Sequence, residues 1–406
     1  MKTSIFMLTL IHGKSTFSES FELVVENPLN RMKAFMAVVT ITLCACFTGY
    51  YGFLLFYFGR GFRRLTPGFG RKTPSVTVVC SARNEEKNLH GLLRCLSLQT
   101  YPKAKLEFIL ADDRSDDATP ALLEQFAREH SNAKVLRIPN EEKCTSPKKH
   151  AIAKAVARAS GRIILTTDAD CLPGPEWIRE MVRCYDAETG MVLGYAPYRT
   201  DGPYDTFFHK LLALEYFTMG AVASATVSMG HPSTCNGANL SYRREAFDRV
   251  GGYGDGNRWL SGDDDLFMQR IHSKTDWKIR FAASRQAAVP NAPPRNLREF
   301  IRQRIRFSSK HLAYPPRMIA ALSGVYGFYV CLLGLSIASC FASDLLGVCA
   351  AMWLVKTAAE VPFLIRAQKA LEDRRLLKYY LILMPFHLLY TVFIPFLGRF
   401  VKPKWK

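Results

Sequence analysis

The sequence predicts an α/β fold: a doubly wound, Rossmann-like parallel sheet with one N-terminal and about three C-terminal transmembrane or interfacial helices. Three observations predict it. Between residues 74 and 170, four short apolar, β-branched runs alternate with helical segments, the pattern of a parallel sheet. Polar or acidic clusters follow three of these runs, at the strand ends where such sheets bind ligands. Four apolar stretches, residues 35–58, 318–343, 345–365 and 377–397, are each long enough to cross the ~30 Å of hydrocarbon in a bilayer.

Taken in order, residues 1–34 read as an extension ahead of the first span at 35–58. That span is too long for the apolar core of a signal peptide. Arg60, Arg63, Arg64, Arg71 and Lys72 follow it in place of a small-residue cleavage site. A retained anchor is expected, with the chain beyond residue 60 on the cytoplasmic side. The soluble domain is expected over 74–294. Residues 76–80 read as a buried strand, and 84–99 as a helix with Leu89, Leu92, Leu93 and Leu96 on one face. A second strand at 106–111 leads to a helix starting near Pro120, a residue favoured in a first turn. A third strand at 134–138, an Ala-rich helix at 148–159 closed by Gly161, and a fourth strand at 162–167 complete the unit.

Residues 204–230 suit either an amphipathic segment on the membrane or an ordinary core helix. Residues 295–317 read as a basic interfacial helix, with Leu297, Phe300, Ile301, Ile305 and Ser308 on one face and Arg298, Arg302 and Arg306 off it. Membrane segments are expected over 318–398 and a basic tail over 399–406. Lys356 and Glu360, one turn apart, are placed to pair inside the membrane. Four full crossings would leave the basic tail outside, against the charge rule, so a re-entrant segment stays open.

The net charge of +19 is concentrated beside the apolar spans, which suits an anionic leaflet better than nucleic acid. No nucleic-acid motif is present. The eleven cysteines show no metal-ligand spacing and read as reduced thiols used as small hydrophobes.

The chemistry sits in ordered clusters. Asp168-Ala169-Asp170 ends the fourth strand, and two carboxylates at that spacing can share one divalent ion, Mg2+ or Mn2+, with a diphosphate. Asp112 and Asp113 end the second strand and suit base or ribose groups, with Asp116 or Asp117 left to cap the next helix. Lys148 and Lys149 open a helix, where cations and backbone amides favour phosphate. Asp263, Asp264 and Asp265 precede a helix and can supply a general base. Gln303, Arg304, Arg306 and Phe307 offer guanidinium forks for phosphate and an aromatic face for a sugar or lipid.

In this order the motifs resemble the inverting family-2 glycosyltransferases of the GT-A fold, in particular their membrane-anchored bacterial branch. The resemblance runs from about residue 74 to 310. It is carried by residues 76–85, 110–116, 167–171, Asn236 to Leu240, Gly262 to Asp265, and Gln303 to Phe307. It implies that Ala82, Glu85, Asp112 and Asp113 hold the nucleotide, with Lys149 on the donor. Asp168 and Asp170 would hold the metal and donor. Asp264 would deprotonate the acceptor hydroxyl, with Asp263 as the alternative register. Phe307 stands where processive members carry Trp, and only about four membrane segments accompany the domain. Both points favour transfer from a nucleotide-sugar, a UDP-hexose, onto a lipid or other membrane-embedded acceptor, at the cytoplasmic face of a bacterial-type inner membrane. A processive polysaccharide synthase is the alternative within enzymes, and a non-catalytic sugar-nucleotide-binding scaffold the alternative outside them.

Overall fold

The computed structural model describes residues 28–139, 144, 146–254, 262, 264–310, 313–373 and 376–400. A long helix, α1 (Pro28–Gly59), leads into β1 (Val76–Ala82), α2 (Glu86–Ser97), β2 (Leu106–Asp112), α3 (Thr119–Glu129), β3 (Ala133–Arg137), α4 (Pro147–Arg158) and β4 (Ile163–Asp168). Then come α5 (Trp177–Val182), β5 (Thr189–Gly194), α6 (Phe207–Ser228), β6 (Leu240–Arg243), α7 (Arg244–Arg249), α8 (Asp265–Lys274) and β7 (Lys278–Ala282). The chain ends in α9 (Leu297–Ser308), α10 (Pro316–Ala338), α11 (Leu346–Ala370) and α12 (Tyr380–Phe400).

The seven strands form one sheet in the order β3-β2-β1-β4-β6-β5-β7. β1 to β4 are parallel, as the alternation of strands and helices requires. β6, beyond the four strands read from the sequence, runs antiparallel to both β4 and β5. β6 turns directly into α7 instead of crossing over, so it is free of the right-handed βαβ rule that orders the first half.

Side chains alternate across the strands with period two. Val76, Val78, Cys80 and Ala82 of β1 pack on one face against Leu89, Leu92 and Leu96 of α2. Val79 and Ile109 face the other core, with Ala151, Ala155 and α6. Each fully buried leucine of α2 contributes roughly 1.5–3 kcal/mol of transfer free energy, so Leu92→Asp would detach that helix.

Among the described residues, five helices are long and apolar enough to cross a membrane by length and composition. Buried fraction separates them. The most apolar window of α6 is 61% buried inside the protein, whereas α1, α10, α11 and α12 keep theirs 17–33% buried. α6 is therefore the core helix of the two readings given for residues 204–230, and it lies between the sheet domain and the long apolar helices. α9 also departs from expectation. Leu297 is exposed while Arg304 is buried, because the inward stripe of α9 runs through Phe300 and Arg304.

Candidate active site

Strand register brings the acidic strand ends together. Ala82 stands opposite Asp112, and Ser81 opposite Asp168, so the ends of β2, β1 and β4 lie side by side. The turns after β1 and β2 interlock: the Asn84 amide donates to Ser115 Oγ at 3.0 Å, and Asn84 Oδ1 accepts from the Asp116 amide at 2.9 Å. Asn84 and Arg114 both hold positive φ, 54° and 60°, a strain tolerated where surroundings fix the backbone. Glu85 is tied in by its amide to Thr119 Oγ1 and by its carboxylate to Asn88. Asp117, not Asp116, accepts from the Thr119 amide at the start of α3.

Asp112 and Asp113 are buried at this edge. Asp112 Oδ1 accepts from the Ser115 amide, and Asp113 pairs with the Arg114 guanidinium at 2.5 Å. Asp168 and Asp170 are half-buried, while Ala169 between them points into the core. The Lys148 ammonium lies 2.7 Å from Asp168. Lys149, the residue expected on the donor, is wholly buried at the same helix start, and its neighbour Lys148 is the residue that reaches Asp168. Cys80 shows how close the acidic groups lie. Burial pushes its thiol up; Asp168 pushes it further, as do Glu85 and Asp170, while Lys148 opposes them.

The second half of the site comes from β6, α8 and α9. Asn239 is a structural pin at the turn before β6: its amide nitrogen donates to the carbonyls of Tyr195 and Ala287, and its oxygen accepts from Trp177. That fixes Gly237, whose amide donates to Asp264 Oδ2 at 3.2 Å. Asp264 caps α8, and its Oδ1 accepts from the Asp265 amide. The Lys310 ammonium bridges both acids, 3.4 Å from Asp264 and 2.8 Å from Asp265. Burial alone would raise the Asp264 carboxyl, but Lys310 and the backbone donor outweigh it and hold it well below the usual carboxylate range, with Lys148 adding to the effect. Asp265, deeper and bonded to the Tyr314 hydroxyl, is pushed up by burial. Asp263 lies outside the described residues.

Two stacked rings link the halves. Tyr198 and Tyr216 lie 3.8 Å apart and nearly parallel, and Tyr198 donates to Gln303 Oε1 at 2.9 Å. Burial raises the Tyr216 phenol far above its usual value; Tyr198 raises it further, and both Asp168 and Asp264 add to this. A cavity of about 340 Å³ opens here, lined by Tyr216, Asn236, Asp264, Phe307 and Lys310.

Arg304 does not present a free fork to a phosphate. Its guanidinium is buried against Glu215 of α6 and stacks near Phe300, Tyr216 and Phe307, and Glu215 also accepts from Tyr390 of α12 at 2.6 Å. A buried pair with these partners ties α9 to α6 and α12. Gln303 and Phe307 are partly buried, Phe307 lines the cavity, and Arg306 stacks at 5.7 Å on Phe307. Lys148, Lys310, Tyr314, Tyr198 and Tyr216 complete the arrangement. Of these only Lys148 carried a sequence signal, its place at a helix start.

Asp168 and Asp170 fit a divalent ion of the kind that takes one or two carboxylates plus phosphate oxygens. Among the described residues no group of three or more His, Cys, Asp or Glu stands ready to hold a metal alone, so substrate oxygens would complete the ligand set.

The model of glycosyl transferase family 2 matches residues 77–251. Among curated relatives, the glycosyltransferase AglE of Haloferax volcanii is 25% identical over 211 residues, 52% of this chain and 64% of its own length. A beta-monoglucosyldiacylglycerol synthase of Trichormus variabilis is 27% identical, over 51% of this chain and 43% of its own. The chain thus spans about half the length of the curated relatives it matches. Among solved structures, the mannosyltransferase PcManGT of Pyrobaculum calidifontis, in complex with GDP-Man and Mn2+, superposes with a TM-score of 0.56 at 21% identity. It covers 82% of this chain and 99% of its own. At that identity the likeness shows the fold, GT-A.

Proposed function

Because the chain belongs to glycosyl transferase family 2 through the domain at 77–251, we propose that it transfers a sugar, with inversion, from a nucleotide-sugar such as a UDP-hexose onto a hydroxyl of a lipid acceptor. One observation carries this reading. Asp264 is held ionised by Lys310 in a cavity whose walls come from both the sheet domain and the apolar helix α12. A base in that position meets a donor from the sheet edge and an acceptor from the membrane side. The beta-monoglucosyldiacylglycerol synthase among the relatives supports a lipid acceptor.

In this reading the edge formed by Ala82, Glu85, Asp112 and Asp113 holds the nucleotide. Asp168 and Asp170 hold a divalent metal, Mg2+ or Mn2+, which when bound would neutralise the diphosphate. Lys148 is positioned to pass from Asp168 to a phosphate oxygen. Asp264 takes the proton from the acceptor hydroxyl, oriented by the Gly237 amide and kept charged by Lys310. The hydroxyl oxygen forms a bond to the anomeric carbon as the bond to the diphosphate breaks on the opposite side, and the diphosphate leaves as the nucleotide. Gln303, Arg306 and Phe307 border the acceptor, while Arg304 positions α9. The unit at 74–294 is the catalytic domain, with α1, α10, α11 and α12 holding it at a cytoplasmic membrane face.

The test is Asp264→Asn. General-base catalysis contributes roughly 10²–10⁴-fold, so transfer falls by that order while nucleotide affinity is kept. Transfer near the wild-type rate would overturn the assignment. Loss in Asp263→Asn alone would move the base one residue back.

A further inference from the structure

A second and larger cavity, about 960 Å³, lies among α1, α6, α10, α11 and α12. It follows α10 from Arg317 to Tyr329, about 18 Å at 1.5 Å per residue. The Lys356–Glu360 pair, at 2.6 Å, lies in its wall. Glu360 also accepts from the hydroxyls of Tyr51, Tyr329 and Tyr380, which come from the three other long apolar helices. This cluster is a rivet: its carboxylate is saturated by the protein itself and asks for no ligand.

His387 differs. It lines the cavity half-buried, stacks edge-on with Tyr329 and Tyr390, and has no hydrogen-bond partner among the described residues. One turn further along α12 stands Thr391, which lines both this cavity and the one holding Asp264. Tyr390, beside it, bonds the Glu215 that anchors Arg304. The two cavities therefore meet along one face of α12.

We infer that the larger cavity is the acceptor's binding site: it takes the hydrocarbon chain of a lipid bearing a free hydroxyl, and His387 and Thr391 guide that hydroxyl to Asp264. The inference rests on the lipid-acceptor reading above and names the site of the acceptor within it. Three features commit the occupant to a lipid. Most of its walls are supplied by helices apolar enough to lie in hydrocarbon, with Gln269, His272 and Ser273 of α8 also in the lining; the polar cluster in its wall is self-satisfied; and at Thr391 it is continuous with the cavity holding Asp264. An unpaired imidazole at the junction suits one hydroxyl or ester oxygen.

The experiment uses the full chain in lipid nanodiscs and a diacylglycerol carrying a diazirine at the end of one acyl chain. Photolabelling is mapped by mass spectrometry, and transfer to the same lipid is followed with a labelled nucleotide-sugar. We expect labels on inward positions such as Val325 and Met384, and a loss of about tenfold or more when Ala321→Phe or Val222→Phe fills the cavity. His387→Leu raises the KM for the lipid about tenfold, the loss of one hydrogen bond to a buried group, more than it lowers kcat. His387→Gln recovers part of that. Nucleotide affinity and melting, read on the same samples, check that each variant is folded. Labelling that both filling variants leave unchanged, or that falls on outward residues such as Leu381 and Phe393, overturns the inference. If the sugar reaches the lipid while labelling ignores the filling variants, the site is wrong and the function stands. If labelling follows the cavity but no sugar is transferred, the cavity stands and the function is wrong.

Discussion

The two sides of the candidate site are built differently. The proposed donor side, Ala82 with Asp112, Asp113, Asp168 and Asp170, comes from the ends of three adjacent parallel strands, and backbone register brings it together. The proposed acceptor side is assembled by buried polar contacts across long stretches of chain: the charge pairs of Asp264 with Lys310 and Glu215 with Arg304, and the hydrogen bond of Tyr390 to Glu215. One side is fixed by hydrogen-bonded sheet and the other by helices whose positions depend on a few ion pairs. The donor side should therefore fail by losing ligand, and the acceptor side by losing geometry.

The largest effect expected on that contrast is at Asp170. Asp170→Ala removes one of two carboxylates for a divalent ion, so metal-dependent nucleotide affinity falls about a hundredfold while the melting temperature holds, as calorimetry on the purified protein would show. On the acceptor side, Arg304→Ala leaves Glu215 buried without its cation and costs about 3–5 kcal/mol of stability. The double variant Arg304→Met with Glu215→Leu recovers most of that loss in a thermal melt. Recovery of both stability and activity marks Arg304 as a positioning residue. A stable Arg304→Ala with weak donor binding would return it to the diphosphate.

A smaller effect is expected at Lys310. Its ammonium holds the Asp264 carboxyl below the usual carboxylate range, so the base stays ionised above that depressed value and activity persists into mild acid. Lys310→Met removes the cation, the carboxyl rises, and the acid limb of the pH–rate profile moves to higher pH. An unmoved limb would separate Lys310 from the base. The smallest effect belongs to Phe307→Trp. The ring already stacks beside Arg304 and Arg306 and faces the cavity, so the larger indole changes transfer a few-fold at most, read as kcat/KM for the lipid.

The same contrast decides what the sequence could tell. β1 to β4 and their helices were legible because buried parallel strands are continuous apolar runs and their helices carry a 3.6-residue stripe. The acidic ends followed from topology. β5 to β7 were missed: β6 is only four residues long, and its antiparallel place between β4 and β5 depends on pairings no local pattern encodes. The segment 295–317 reads from sequence as a basic helix at the membrane interface. Two of its cations instead neutralise Glu215, Asp264 and Asp265, acids 45 to 89 residues away in sequence. Asp168 was legible as a carboxylate at a strand end, and Lys148 as a helix-start cation. That they would touch was not, since it depends on how the start of α4 sits against the end of β4.

The central claim is tested most directly by the product itself. Membranes containing the full chain are given a labelled UDP-hexose, Mg2+ or Mn2+, and extracted lipids, and the label is followed into the solvent-extractable fraction. The account predicts a single labelled glycolipid whose anomeric configuration is inverted relative to the donor. Label found only in an insoluble polymer, a retained configuration, or no release of UDP with any hexose donor would contradict it.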